Sequence, residues 1–184
     1  RILAGPLDYT PGIFDLLYKN AGKRVKWNGM DKGTARINTT LSKQLALFVI
    51  FYSPLQMASD LIENYMDHPA FKFINDVPVN WGKTKFLHAD IGKYVTVVRK
   101  DWDSDDWFLG SATNAESRTL ELKLDFLEEG KTYIAKIYRD TENSNWKTNP
   151  YHYEIAEQKV TSKNNLTLKL APGGGQAIHF KMEK

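Results

Sequence analysis

Cysteine is absent from the 184 residues, which excludes disulfides, thiol catalysis and cysteine-ligated zinc. The absence leaves the compartment open. Histidine is sparse, and His88, His152 and His179 stand too far apart for metal-ligand spacing. No sign of charge dominates: 25 Lys and Arg against 22 Asp and Glu give a net charge of +3. No run of like charge exceeds three residues, so the chain has no nucleic-acid footprint. The apolar, uncharged stretch over residues 45–52 falls well short of the roughly 20 residues that span a bilayer. Gly-x-Ser-x-Gly and phosphate-loop motifs are missing. No basic leader with an apolar core opens the chain. It begins on Arg1, in the middle of an apolar stretch continued by Ile2, Leu3 and Ala4, and the expectation is a truncated piece of a longer protein.

A hydrophobic content of 42%, with five Trp, nine Tyr and nine Phe, is enough for a real core. Residues 40–65 divide the chain into unlike halves. Leu41, Leu45, Phe48, Val49 and Tyr52 recur at helical spacing, with Ala46, Leu47, Ile50 and Phe51 filling the gaps. Such a helix is apolar nearly all round and needs a larger assembly about it. Thr39 or Thr40 is its expected N-cap. Ser53 followed by Pro54 predicts the start of a second short helix through Gln56, Met57, Leu61 and Tyr65. Asp67, His68 and Pro69 resemble a third helix start, with Ala70, Phe71, Phe73 and Ile74 as its buried side. Earlier, residues 1–7 read as the end of a buried strand, Pro11-Gly12 as a turn, and residues 19–34 as a glycine-rich loop.

From about Val79 the apolar period changes from 3.6 to 2. Eight candidate strands follow, over residues 83–89, 94–100, 107–113, 119–123, 132–139, 153–160, 166–170 and 177–181. Leu120, Leu122 and Leu124 alternate with Glu121 and Lys123; Leu166, Leu168 and Leu170 alternate with Thr167 and Lys169. One apolar and one polar face per strand is what two packed antiparallel sheets require, so residues 79–184 are expected to form a β-sandwich. Residues 1–78 supply a strand end, a loop and helices with more apolar surface than they can cover mutually. That is a βα unit in need of neighbours, such as the last unit of a (β/α)8 barrel.

Asp8 is the most interesting carboxylate, because barrel chemistry sits at the carboxyl ends of strands; it could equally cap the following turn. Asp8 and Tyr9 are the candidate rim of a substrate pocket. Asp60 and Glu63 share a helical face at i,i+3, a pairing compatible with glycoside hydrolysis and also with a solvated face. Asp67 and His68 read as helix-capping residues before ligands. Trp102, in the acidic stretch Asp101 to Asp106, and Trp146 are the candidate aromatic platforms for stacking on sugar. The aspartates suggest a calcium loop but lack the glycine and the closing glutamate of an EF-hand. Gly173, Gly174 and Gly175 make a permissive turn.

Several stretches together resemble the C-terminal part of glycoside hydrolase family 97. They are Gly5-Pro6-Leu7-Asp8-Tyr9-Thr10-Pro11-Gly12, TLSKQLAL at residues 40–47 and YSPLQMASDLIENY at residues 52–65. To these are added WFLG at 107–110, Tyr138-Arg139-Asp140, WKTNP at 146–150 and APGGGQA at 171–177. Leu7 stands where the family pattern has Met, a volume-conserving change. The resemblance implies a calcium-dependent, exo-acting α-glucosidase or α-galactosidase, often periplasmic. It also implies an N-terminal β-supersandwich, a (β/α)8 barrel ending at residues 1–78, and a C-terminal β-domain. The family's catalytic acid and calcium-binding glutamates would precede Arg1, so no catalytic residue and no Ca²⁺ ligand is expected in this chain, which would be inactive alone. The alternative is a non-catalytic carbohydrate-binding or scaffold module, with Trp102 and Trp146 stacking on sugar in the first case.

Overall fold

The structure is a computed structural model that describes residues 6, 8–17 and 36–183. The expected strand end, apart from Pro6 in part, and the expected loop over residues 19–34 lie outside the described residues. After three helices, α1 (Leu41–Ile50), α2 (Ile62–Tyr65) and α3 (Phe71–Asp76), come eight strands. These are β1 (Trp81–Asp90), β2 (Tyr94–Asp101), β3 (Trp107–Thr113), β4 (Arg118–Lys123), β5 (Tyr133–Asp140), β6 (Tyr153–Val160), β7 (Asn165–Leu170) and β8 (Gly175–Met182). They form an antiparallel, sandwich-like all-β architecture with few helices. A six-stranded sheet has the order β1-β2-β3-β8-β5-β6, and β4 pairs with β7 in a separate two-stranded sheet.

The two faces of the large sheet are covered differently, one by the small sheet and the other by a helix. Leu122, Leu168 and Leu170 of the small sheet pack with Leu124, Phe126 and Leu127 against Val98, Leu109, Ile137, Ile178 and Phe180 of the large one. On the opposite face α1 lies over β3 and β8, in a second core that joins Leu45, Phe48 and Val49 to Phe108, Ala112, Tyr138 and Ala177. This explains why β3 is buried at every position instead of alternating. Gly110 permits the approach: a Cβ there would run into the Ala46 carbonyl oxygen.

Helix α1 carries no acidic residue in its first turn and no basic residue in its last, and the sheet provides both. Asp140, at the end of β5, lies buried near the helix N-terminus, where its charge interacts with Lys43. Arg99 of β2, also buried, donates from Nε to the Val49 carbonyl at 2.7 Å and from Nη2 to the Ile50 carbonyl at 3.3 Å. Opposite charges therefore meet the two ends of the helix dipole and fix which way α1 runs across the sheet. Thr40 is the N-cap, its hydroxyl accepting from the Lys43 N–H at 3.3 Å.

The helix expected to open at Ser53-Pro54 does not form; residues 53–60 are irregular. The Gln56 side-chain amide donates to the Phe48 and Phe51 carbonyls at 2.9 and 3.1 Å, closing the C-terminus of α1. The Gln56 backbone forms an isolated parallel bridge with Tyr9. Only one turn, α2, follows, without a side-chain cap. Among the described residues no helix is long and apolar enough to cross a membrane.

Candidate functional site

Asp8 is exposed, while Tyr9 is partly buried with its ring edge-on to Phe51 at 4.5 Å. Burial pushes the Tyr9 phenol up, so it stays neutral and can donate. Residues 11–15 are held against the helices by side chains from residues 44–65. Gln44 Oε1 accepts from the Gly12 and Ile13 N–H groups at 3.0 and 3.2 Å. Asp60 Oδ2 accepts from Phe14 and Asp15, both at 2.7 Å, and its Oδ1 from Leu61 N–H and Asn64 Nδ2. Tyr65 donates to the Gly12 carbonyl at 2.8 Å and accepts from the Asp60 N–H; its pKa is pushed up to about 12, first by burial. Asp60 is thereby committed to holding the chain, and Glu63 lies exposed.

Asp67 occupies left-handed backbone at φ 57. His68 Nδ1 accepts from the Ala70 N–H at 3.3 Å, and its ring lies 4.6 Å from Phe14 and 5.9 Å from Tyr153. Burial lowers the His68 pKa, which favours the neutral ring that this hydrogen bond needs; α3 itself starts at Phe71 without a side-chain cap.

Within the acidic stretch, Asp101, Asp105 and Asp106 are engaged by neighbouring groups of the chain. Asp101 accepts from Asp103 N–H and Ser104 Oγ, Asp105 pairs with Lys100 at 2.7 Å, and Asp106 meets His179 Nε2 at 2.8 Å and Met182 N–H at 3.0 Å. Burial alone would raise the Asp106 pKa; the His179 and Met182 bonds outweigh it and leave the carboxyl below its usual range. Among the described residues no group of three or more His, Asp or Glu side chains gathers as a metal site.

Trp102 is 65% exposed in the β2–β3 loop. Trp146 is partly buried in the β5–β6 connection, with Gly173 against one side and the Arg36 guanidinium 5.3 Å from its ring centroid. The register puts them at opposite ends of the large sheet, because β2 finishes where β8 finishes and β5 finishes where β8 begins. They do not share one platform. A hollow of about 990 Å³ lies between β7 and the uncovered faces of β5 and β6. Arg139, Glu154, Thr167, Lys169 and Gln176 line it, and no aromatic side chain does. Arg139 and Glu154, opposite each other in the β5–β6 ladder, form an ion pair on its wall.

Sequence reasoning passed over Asp140, the most perturbed carboxylate. It is 5% exposed, its Oδ2 accepts from the Ala171 and Gly175 N–H groups at 3.2 and 2.9 Å, and a Cβ on Gly174 would collide with it. Its Oδ1 and the nearby Ser42 Oγ have no hydrogen-bond partner of good geometry. Burial pushes its pKa up to about 6, against the pull of the surrounding Thr40, Ser42 and backbone donors. The available signal was positional: a carboxylate closing an alternating strand, ahead of the glycine-rich turn. Asp140 locks that turn and α1 onto the sheet.

The comparisons with known proteins follow the chain along its length. Residues 80–181 match the sequence model of the family described as glycosyl-hydrolase 97 C-terminal, oligomerisation. A retaining α-galactosidase of Bacteroides thetaiotaomicron is 33% identical over 98% of this chain and 26% of its own length. A glycoside hydrolase family 97 enzyme from Pseudoalteromonas sp. strain K8, solved with panose, is 46% identical and superposes with a TM-score of 0.89. That match covers 100% of this chain and 27% of the enzyme. A β-arabinopyranosidase is 25% identical, with a TM-score of 0.69 over 95% of this chain and 25% of its own. The chain thus spans about a quarter of the length of these relatives. With the family model covering more than half of it, and an enzyme of the family superposing from end to end, the chain belongs to glycoside hydrolase family 97.

Proposed function

We propose that this chain is the C-terminal, non-catalytic part of a calcium-dependent, exo-acting α-glycosidase and that it serves that enzyme by packing and self-association. The observation that carries the reading is a colinear likeness to family enzymes of about four times its length, joined to a structure in which the carboxylates of Asp60, Asp106 and Asp140 are spent on internal contacts. In this reading residues 1–78 end a (β/α)8 barrel, Asp8 and Tyr9 stand at the rim of its pocket, and the whole enzyme works in a periplasm. Leu55, Met57, Leu61, Ile62 and Met66, each more than half exposed, are the surface that meets the rest of the enzyme.

Calcium would supply Lewis-acid polarisation of the scissile oxygen. The described side chains do not fit it, since no acidic group of sufficient size converges among them. The ion and the paired carboxylates belong, in this reading, to the remainder of the enzyme. Here Asp8, exposed, is free to accept a sugar hydroxyl, and Tyr9, neutral and wedged on Phe51, can donate one. Assays with p-nitrophenyl α-glucoside and α-galactoside, with and without Ca²⁺, should give no turnover by this chain. Calcium-dependent hydrolysis that survives repurification would overturn the proposal.

A further inference from the structure

We infer that two copies of this chain meet through the tip of the β1–β2 hairpin, with Ile91 of each copy seated in an apolar hollow of the other. The inference rests on the self-association proposed above and names the surface that carries it. Residues 90–93 form a tight turn closed by the Lys93 N–H on the Asp90 carbonyl at 2.9 Å, with Gly92 at φ 79. Position 91 of such a turn commonly holds a polar residue or proline; here it holds an isoleucine that is 100% exposed.

The turn forms one wall of a shallow hollow of about 410 Å³ that Ile91 itself helps to line, together with Lys43, Ala89, Tyr94, Val95 and Ala112. The hollow exists because α1 covers β3 and β8 and stops short of β1. On the same face, Phe86, opposite Val97 in the ladder, is 49% exposed. Within residues 80–181 the other exposed large apolar side chains among the described residues are Trp102, at the far end of the sheet, and Ile155, on the charged edge strand β6. The apolar side chains around Leu61 lie outside the stretch that matches the oligomerisation family, whereas Phe86 and Ile91 lie within it.

A two-fold axis close to the tip suits this surface. Asp90 and Lys93 flank Ile91 with opposite charges, 2.8 Å apart within one chain. A two-fold brings the Asp90 of one copy toward the Lys93 of the other, so the patch is complementary to itself in shape and in charge. The two bulges in β1, at residues 81–83 and 86–88, blunt its outer edge for strand addition. This favours docking by the tip and the helix-side face.

Sedimentation velocity on the 184-residue chain tests the inference, with thermal unfolding to verify that each variant is folded. The wild-type chain should sediment as a dimer, and Ile91→Asp should raise its dissociation constant about tenfold or more. Asp90→Lys and Lys93→Asp should each weaken the dimer by placing like charges together, and the double exchange should restore it. Ile62→Asp, on the other apolar surface, should leave the dimer intact. A dimer indifferent to Ile91→Asp, or one dispersed by Ile62→Asp, overturns the hairpin-tip interface while self-association stands. A chain monomeric at about 100 µM, weaker than any specific dimer expected of it, removes the self-association reading itself.

Discussion

At the level of single residues, Asp140 holds its carboxylate where charge is costly. It does so because two backbone donors of the glycine turn and the N-terminal end of α1 have no other acidic group to face. Its pKa of about 6 in the folded chain, against 3.8 for the free group, means the folded state binds the proton more tightly than the unfolded one. Stability from this group is therefore complete below about pH 4 and is lost as pH rises through 6. Asp140→Asn preserves the shape and removes the titration. Urea unfolding at a series of pH values should show wild type losing ground to Asp140→Asn, by on the order of 3 kcal/mol, between pH 4 and pH 7. A difference that stays flat over that range would mean the carboxyl is not desolvated as its surroundings imply. Asp106 behaves with the opposite sign: its depressed pKa gives a contribution that is present at neutral pH and disappears in acid.

At the scale of elements, the fit between α1 and β3 is set by two positions that can be altered separately. Thr40→Ala removes the cap hydroxyl and should cost about 1 kcal/mol. Gly110→Ala pushes a Cβ into the Ala46 carbonyl oxygen, with Val49 and Ile50 also close, and should cost about 1–3 kcal/mol through overpacking. Both are read by denaturant unfolding, and a neutral Gly110→Ala would show that α1 can lift from the sheet without penalty. Most strands were legible, because alternation in β4 and β7 records one wet and one dry face, and β3 and β6 begin and end where the apolar pattern does. The helix after Ser53 was not legible as an absence. What ends α1 is the Gln56 amide reaching back to Phe48 and Phe51 while its backbone pairs with Tyr9, and that pairing is remote in sequence. Asp140 and Arg99 were hidden for the same reason: a charge looks like a solvated strand end until the helix it serves is seen to lie across the sheet. Trp102 and Trp146 read alike as loop tryptophans, and only strand order separates them to opposite ends.

For the whole molecule, the decisive feature is the strip formed by Leu55, Met57, Leu61, Ile62 and Met66, at 63%, 51%, 53%, 71% and 64% exposure. A lone exposed leucine needs no explanation, but five large apolar side chains within a dozen residues do. The irregular backbone of residues 53–60 is anchored from within by Gln56, Ser59 and Asp60, so the outward apolar side chains are presented on a held surface. If the remaining three quarters of the enzyme cover this strip, its substitution should have opposite consequences in the two contexts. In the present chain Leu61→Gln with Ile62→Glu should leave unfolding free energy within about 0.5 kcal/mol and reduce the binding of a hydrophobic dye. In the longer enzyme the same pair should cost about 1.5–3 kcal/mol for each side chain buried there. It should also lower the temperature at which the C-terminal part comes loose. Equal tolerance in both contexts would mean the strip is bare in the intact enzyme, and the packing role assigned to residues 53–66 would have to move to another face of the chain.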